Sequence, residues 1–179
     1  GLISASWGGT VAEAWTRREA LASLPGLAPW LARKPEPDQP NYPSLLYNGM
    51  IAPLQPYALR GAIWYQGESN AGRANRYQAL LTTMIGDWRK QWGCGDFPFL
   101  LVQLAPYQQP PLEPGQSDWA GLREAQRQVA LSVPASAMVV ITDLGDQDIH
   151  PLRKQPVGER LGLAARHFVY GEAVEWSGP

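Results

Sequence analysis

The sequence has little of several residue types, and each scarcity excludes a class of protein. Cys94 is the only cysteine among 179 residues, so an internal disulfide is impossible. His150 and His167 are the only histidines, which leaves no Cys/His cluster of the kind that holds zinc. We therefore expect no metal and no other cofactor.

Charge and long apolar runs are scarce as well. Charged residues make up 17% of the chain and the formal net charge is -1, so the composition gives no basis for binding nucleic acid or a membrane surface. The apolar runs are interrupted by Gly, Pro or charge well short of the roughly 20 residues that a membrane span needs. Aromatic residues, in contrast, are plentiful, with eight Trp and seven Tyr. Most such rings pack in cores, and the surplus is typical of sites for flat ligands such as sugars.

The order of the predicted elements indicates the fold. Strands are predicted at residues 61–65, 97–104 and 137–142, and helices at 76–92, 119–131 and 157–168. The strands are too continuously apolar to be half exposed, so the alternation predicts an α/β fold with a mainly parallel sheet covered by helices on both faces. The length fits one domain.

The first third of the chain is less regular. Residues 1–6 form a strand-like run that ends at the Gly8-Gly9 turn, and the pattern of residues 10–22 permits a helix. Six prolines between residues 24 and 43 bar regular structure there and predict a surface loop.

Polar or Gly-rich clusters follow the predicted strands. In a parallel α/β sheet the ligand site lies beyond the carboxyl ends of the strands. We therefore expect four segments to meet at that edge, namely residues 6–10, 66–70, 105–108 and 143–150.

His150 is the first candidate for chemistry. It follows the last predicted strand together with three acids, Asp143, Asp146 and Asp148. Near neutral pH an imidazole can take a proton from a hydroxyl group and return it to a leaving group, and a carboxylate on the other ring nitrogen would fix its tautomer. The alternative is a histidine that caps a turn or the start of the last helix.

Two further features favour the same chemistry, although each has a purely structural alternative. The backbone N–H groups of Gly8 and Gly9 could approach a ligand closely, as an oxyanion hole requires, or the pair could simply form a turn. Gln66 and Glu68 could be an N–H donor and an acid aimed at the same place, or polar residues that end a strand.

Nearly the whole chain resembles one family, the sialate O-acetylesterase-like carbohydrate esterases of the SGNH-hydrolase superfamily. The motifs that carry the resemblance are SWGGT at residues 6–10 with EAW at 13–15, YNGMIAPL at 47–54, GAIWYQGESN at 61–70, DFPF at 96–99, LREAQ at 122–126, and DIHP at 148–151 ahead of KQPVG at 154–158.

The resemblance implies a flavodoxin-like three-layer sandwich and hydrolysis of acetyl esters on sialic acids or other sugars through a serine nucleophile. Gly8 or Gly9 would supply the backbone oxyanion donor, Gln66 a side-chain donor, and His150 the general base. The superfamily commonly has an Asp three residues before the histidine, where this chain has Gln147. Asp148 is therefore the first candidate for the acid that orients His150, and Glu68 is the second.

The resemblance also implies what these 179 residues lack. The family's serine lies in a Gly-Gln-Ser-Asn-like motif upstream of the segments found here, and no such motif occurs in the chain. Ser69 is not its equivalent, because the residues around it match a later block of the family. We expect a partial domain, residues 1–179, cut at both ends, with the first, central strand of the sheet missing. That strand and its serine would come from the missing N-terminal segment or from another chain.

Two other functions remain open at this stage. The chain could be a non-catalytic carbohydrate-binding or structural remnant, or a glycosidase that uses paired carboxylates such as Glu68 and Asp148. A glycosidase would leave the Gly8-Gly9 turn without a task. The family expectation for location is the periplasm or secretion.

Overall fold

The computed structural model describes residues 1–34, 36, 39–109, 112–113, 115–145 and 148–177. Strands and helices alternate along the last two thirds of the chain, as the sequence predicts. They are β1 (Ala62–Trp64), α3 (Ala74–Trp92), β2 (Phe99–Val102), α4 (Asp118–Ser132), β3 (Ser136–Val139) and α5 (Gln155–Phe168), preceded by the short helices α1 (Arg18–Ala22) and α2 (Ala28–Leu31).

The strands in the described residues form one parallel sheet in the order β1-β2-β3. Ala62 lies opposite Phe99, and Phe99 in turn lies opposite Ser136. Every residue of β2 is buried, because β2 is the central strand and both of its faces are covered. The predicted α/β class and parallel sheet are confirmed.

Helices cover the two faces of the sheet. Phe99 and Leu101 pack with the buried residues of α3 and α4, whereas Leu100 and Val102 pack with Val157 and other residues of α5. Alternate side chains of a strand point to opposite faces, so β2 contributes to both layers of the core. The result is a three-layer sandwich.

The predicted apolar stripe holds α3 on the sheet. All six stripe residues are buried, and Gly93 ends the helix with a positive φ of 65°. The stripe comprises Tyr77, Leu80, Leu81, Met84, Ile85 and Trp88.

The two predictions for the start of the chain are wrong. Residues 1–6 form no strand, because a strand requires a neighbour to pair with and, in the described part of the molecule, no strand pairs with them. Leu2 and Ile3 consequently face solvent. The helix permitted for residues 10–22 is divided into a 3₁₀ turn, Ala12–Trp15, and α1, because Thr16 between them has an extended backbone.

The Pro-rich segment is largely irregular, as predicted, apart from α2. This helix has only one turn and carries a proline at its start, where a proline is tolerated. Residues 35, 37 and 38 of this segment lie outside the described residues. No helix in the described part of the chain is long and apolar enough to cross a membrane.

Candidate active site

The segments that follow the three strands meet at the carboxyl edge of the sheet. The Lys154 ammonium lies 5.0 Å from the centre of the Tyr65 ring, which connects the region after β3 to the end of β1. Gly145 approaches the backbone of Pro106, which follows β2. Three of the predicted clusters therefore lie at one edge.

The fourth cluster, the Gly8-Gly9 turn, lies on the surface and is open. Gly9 has a φ of 71°, and a Cβ atom built on either glycine would meet no atom within 4 Å. Throughout the described segments, no hydrogen bond engages the backbone N–H group of Gly8 or of Gly9. Both groups are free to donate to a ligand.

Gln66 connects the end of β1 to this turn. Its Nε2 donates to the Thr10 carbonyl oxygen at 3.0 Å and to Asn70 Oδ1 at 2.7 Å, while the Tyr77 hydroxyl donates to its Oε1 at 2.8 Å. Both protons of the amide are thus directed inside the protein. To donate to an oxyanion, Gln66 would have to release one of these two bonds.

Tyr77 remains a hydrogen-bond donor over the whole working pH range. Its ring is fully buried, and burial raises the pKa of the phenol well above its usual value. The Trp64 indole N–H donates to the same hydroxyl oxygen at 3.2 Å. The orientation of the Gln66 amide is therefore fixed from the core side.

His150 and Asp148 are neighbours at the surface. Asp148 Oδ1 accepts the main-chain N–H of His150 at 2.8 Å and lies 3.5 Å from His150 Nδ1. The His150 side chain is 86% exposed. The structure thus places Asp148 beside the ring nitrogen that an orienting carboxylate would bind, and leaves the other nitrogen open to solvent.

The other acids near His150 have different positions. Asp143 binds both terminal nitrogens of Arg160, at 2.7 and 2.6 Å, and this guanidinium lowers the pKa of Asp143 to about 2. Asp143 therefore braces the segment after β3 against α5 instead of facing the imidazole. Asp146 and Gln147 lie outside the described residues.

Glu68 begins a 3₁₀ helix, Glu68–Arg73, directly after the strand-end motif. In the part of the chain that the structure describes, no hydrogen bond or ion pair joins Glu68 to His150. Glu68 does lie close enough to Tyr65 to raise the pKa of its phenol, after the larger effect of burial. Ser69 follows Glu68 in the same short helix.

Sequence reasoning missed two asparagines that belong to this site. Asn41 Oδ1 accepts the N–H of Val11 at 2.8 Å, and its Nδ2 donates to the Gly9 carbonyl at 3.3 Å. Asn70 is buried and accepts the N–H of Ala12 at 2.9 Å. Asn70 ends the motif at residues 66–70 and could have been suspected, whereas nothing in the Pro-rich segment distinguishes Asn41.

The contact between Gly145 and Pro106 gives a testable prediction. A Cβ on residue 145 would lie 2.5 Å from Pro106 Cδ and 2.7 Å from its carbonyl oxygen, which is too close for either atom. Gly145→Ala should therefore lower the free energy of unfolding by about 1–3 kcal/mol, measured by urea denaturation.

Gly162→Ala is the matched control, because a Cβ at this position in α5 would meet no atom within 4 Å. Alanine is the better helix former, so this variant should gain about 0.5–1 kcal/mol. Equal urea midpoints for the two variants would contradict the predicted close approach.

The fold and the polar segments that follow the strands together define a three-layer α/β protein with its candidate site at the carboxyl ends of parallel strands. Residues 1–163 match the family model described as "Carbohydrate esterase, sialic acid-specific acetylesterase". The chain belongs to this family of carbohydrate esterases.

Individual relatives agree with the family match. The chain is 33% identical to sialate O-acetylesterase of Mus musculus and 35% identical to that of Homo sapiens, in both cases over its full length. It spans 41% and 38% of these two proteins. A carbohydrate acetylesterase from Xanthomonas citri, known from its crystal structure, is 42% identical and superposes with a TM-score of 0.84 over 98% of this chain and 38% of that one. The likeness confirms the predicted SGNH-type fold class.

Proposed function

We propose that the protein carrying this chain hydrolyses O-acetyl esters on carbohydrates, sialic acids among them. The observation that carries the proposal is the Gly8-Gly9 turn, which presents two unengaged N–H donors and is tied by Gln66 to the carboxyl end of β1. Such donors stabilise the negative oxygen that develops when an ester carbonyl is attacked. Membership of a carbohydrate esterase family supports the substrate class.

In the proposed reaction a serine hydroxyl attacks the acetyl carbonyl while His150 takes its proton. The tetrahedral oxyanion accepts hydrogen bonds from Gly8 and Gly9, and Gln66 joins them if it releases Thr10 or Asn70. Collapse of this intermediate breaks the ester bond, and His150 returns the proton to the sugar oxygen. Water then attacks the acetyl-serine with His150 again as base, which releases acetate.

Asp148 is our first choice for the residue that orients His150. It already contacts the main chain of His150 and lies 3.5 Å from Nδ1, a separation that a small rotation of either side chain would shorten to a hydrogen bond. Glu68 stays the second candidate because it lies at the same edge of the sheet.

We propose that the serine comes from polypeptide beyond these residues, in a strand that pairs with the free edge of β1. Among the described residues β1 pairs with β2 alone, and Ile63, in its middle, is 56% exposed despite being a strand residue. An unpaired edge with exposed apolar side chains is suited to receive another strand. In this proposal the strand is donated by sequence upstream of residue 1 or by a separate chain.

The test is an assay of acetate release from O-acetylated sialic acid and from O-acetylated neutral sugars by the full-length protein. We expect hydrolysis by the full-length protein and none by residues 1–179 alone. If the full-length protein binds these sugars but releases no acetate, the non-catalytic carbohydrate-binding function is correct instead. Release of acetate by residues 1–179 alone would overturn the proposed source of the serine.

We also propose that the protein acts outside the cytoplasm, in the periplasm or after secretion, because this is the family expectation. Cell fractionation followed by immunodetection tests it. Recovery of the protein solely with cytoplasmic markers would overturn the proposal.

A further inference from the structure

The backbone of residues 9–12 is held by side chains. Asn41 Nδ2 donates to the Gly9 carbonyl, and Gln66 Nε2 donates to the Thr10 carbonyl. The N–H groups of Val11 and Ala12 donate to Asn41 Oδ1 and Asn70 Oδ1. Three amide side chains from two segments, the Pro-rich loop and the motif at residues 66–70, thus bind four successive residues. We call these side chains, Asn41, Gln66 and Asn70, the amide clamp.

Asn70 is the centre of the amide clamp. It is 2% exposed, and its Oδ1 accepts from both Ala12 N–H and Gln66 Nε2. Its Nδ2 donates at 2.9 Å to Oε2 of Glu13, which is itself 3% exposed and whose Oε1 lies 3.4 Å from Arg73 Nη2. The position requires an acceptor on one side and a donor on the other, and a carboxamide supplies both.

One hydrogen bond closes the Gly8-Gly9 turn, from the Thr10 hydroxyl to the Trp7 carbonyl at 2.7 Å. Both glycines are exposed, and the space where their side chains would stand is empty. The direction of the two free N–H groups is therefore set by Thr10, whose hydroxyl closes the turn, and by the backbone of residues 9–12, which the amide clamp holds. Oxyanion stabilisation depends on donors that are oriented before the reaction begins.

We propose that Asn70 is a positioning residue for ester hydrolysis, which acts through the amide clamp to aim the N–H groups of Gly8 and Gly9. The inference rests on the proposed esterase function. The proposal predicts that a substitution of buried Asn70 lowers the rate of the chemical step more than it weakens substrate binding.

The decisive variant is Asn70→Asp in the full-length protein, since it changes a donor into an acceptor without changing the shape of the side chain. The new carboxyl group would face Glu13, which is paired on its other oxygen with Arg73. The other titratable groups nearby are Glu68 and Tyr77, which lie next to Gln66. When protonated it can still donate to Glu13. When ionised it stands against a second carboxylate, so the pair should retain one proton to a raised pH.

We expect kcat of Asn70→Asp to be at least about tenfold below the wild type at pH 8, with KM changed less than about twofold, because one misdirected oxyanion donor costs about 10²–10³-fold when lost entirely. The ratio of variant to wild-type kcat should recover towards acid pH. Asn75→Asp is the control, since Asn75 is exposed on α3, and its ratio should stay close to one at every pH. An Asn70→Asp ratio that is constant with pH, or a rise in KM alone, would overturn the proposal.

A second arm does not depend on activity. In the full-length protein, hydrogen exchange of the Ala12 amide should be slow in the wild type and in Asn75→Asp. In Asn70→Asp at pH 8 it should be at least about tenfold faster, because repulsion from Glu13 displaces the ionised carboxylate from the Ala12 N–H group. Slow exchange in Asn70→Asp contradicts the inference even if the protein hydrolyses no ester. An inactive wild type with the expected exchange result contradicts the proposed esterase function while leaving the amide clamp intact.

Discussion

Replacement of His150 by alanine is expected to lower kcat for ester hydrolysis by about 10²- to 10⁴-fold, the contribution that a positioned general base makes. The free energy of unfolding should hardly change, because the imidazole is exposed and its side-chain partner in the structure is Asp148. The measurement is acetate release by full-length wild type and variant at saturating substrate.

His167→Ala is the matched control for this prediction. His167 lies near the end of α5, where it stacks on Trp176 and contacts Phe168 edge to face, outside the strand-end clusters. Its removal should leave kcat within about twofold of the wild type, as expected for a surface substitution outside the site. Equal kcat values for His150→Ala and the wild type would remove His150 from the mechanism.

The same assay decides which acid orients His150. If Asp148 does so, Asp148→Asn should lower kcat by several orders of magnitude, since an amide there favours the wrong imidazole tautomer, whereas Glu68→Gln should have a much smaller effect. The opposite ranking would give the role to Glu68. Both side chains are at least partly exposed, so either variant should fold.

The second large effect concerns stability. Trp64→Ala should lower the free energy of unfolding by about 3–5 kcal/mol, the usual cost of removing a large buried aromatic side chain. Trp64 makes edge-to-face contacts with Trp15 and Trp88, at centroid distances of 6.1 and 5.9 Å, and donates to the Tyr77 hydroxyl. Its loss would leave a cavity between β1 and α3 and free the hydroxyl that orients Gln66.

Trp7→Ala is the matched control for Trp64, because the Trp7 side chain is 54% exposed beside the Gly8-Gly9 turn. Its effect on stability should stay within about 0.5 kcal/mol. Chemical denaturation followed by far-ultraviolet circular dichroism measures both variants. A loss below 1 kcal/mol for Trp64→Ala would mean that the aromatic cluster does not hold β1 against α3.

The regular part of the fold could be predicted because its signals are local. The spacing of Tyr77 to Trp88 gives the helical stripe of α3, and continuous apolar runs mark the buried strands. The carboxyl-edge position of Gln66 and His150 followed from the parallel topology alone.

The remaining features depend on contacts between distant segments. The pattern of residues 1–6 is typical of a strand, yet a strand exists only where a neighbour supplies hydrogen bonds. Asn41 binds the backbone of Gly9 and Val11 because the Pro-rich loop passes beside these residues in the folded protein. No local sequence pattern predicts the course of that loop. The choice between Asp148 and Glu68 likewise depends on side-chain geometry, not on spacing.

A crystal structure of the full-length protein labelled with a phosphonate ester would test the proposed site as a whole, because such a reagent becomes a tetrahedral adduct on an activated serine. We predict that a phosphonyl oxygen lies about 3 Å from the backbone nitrogen of Gly8 or Gly9, the distance that an oxyanion hole requires, with His150 against the serine oxygen. An adduct remote from the carboxyl ends of β1, β2 and β3 would contradict the assignment of this edge as the esterase site.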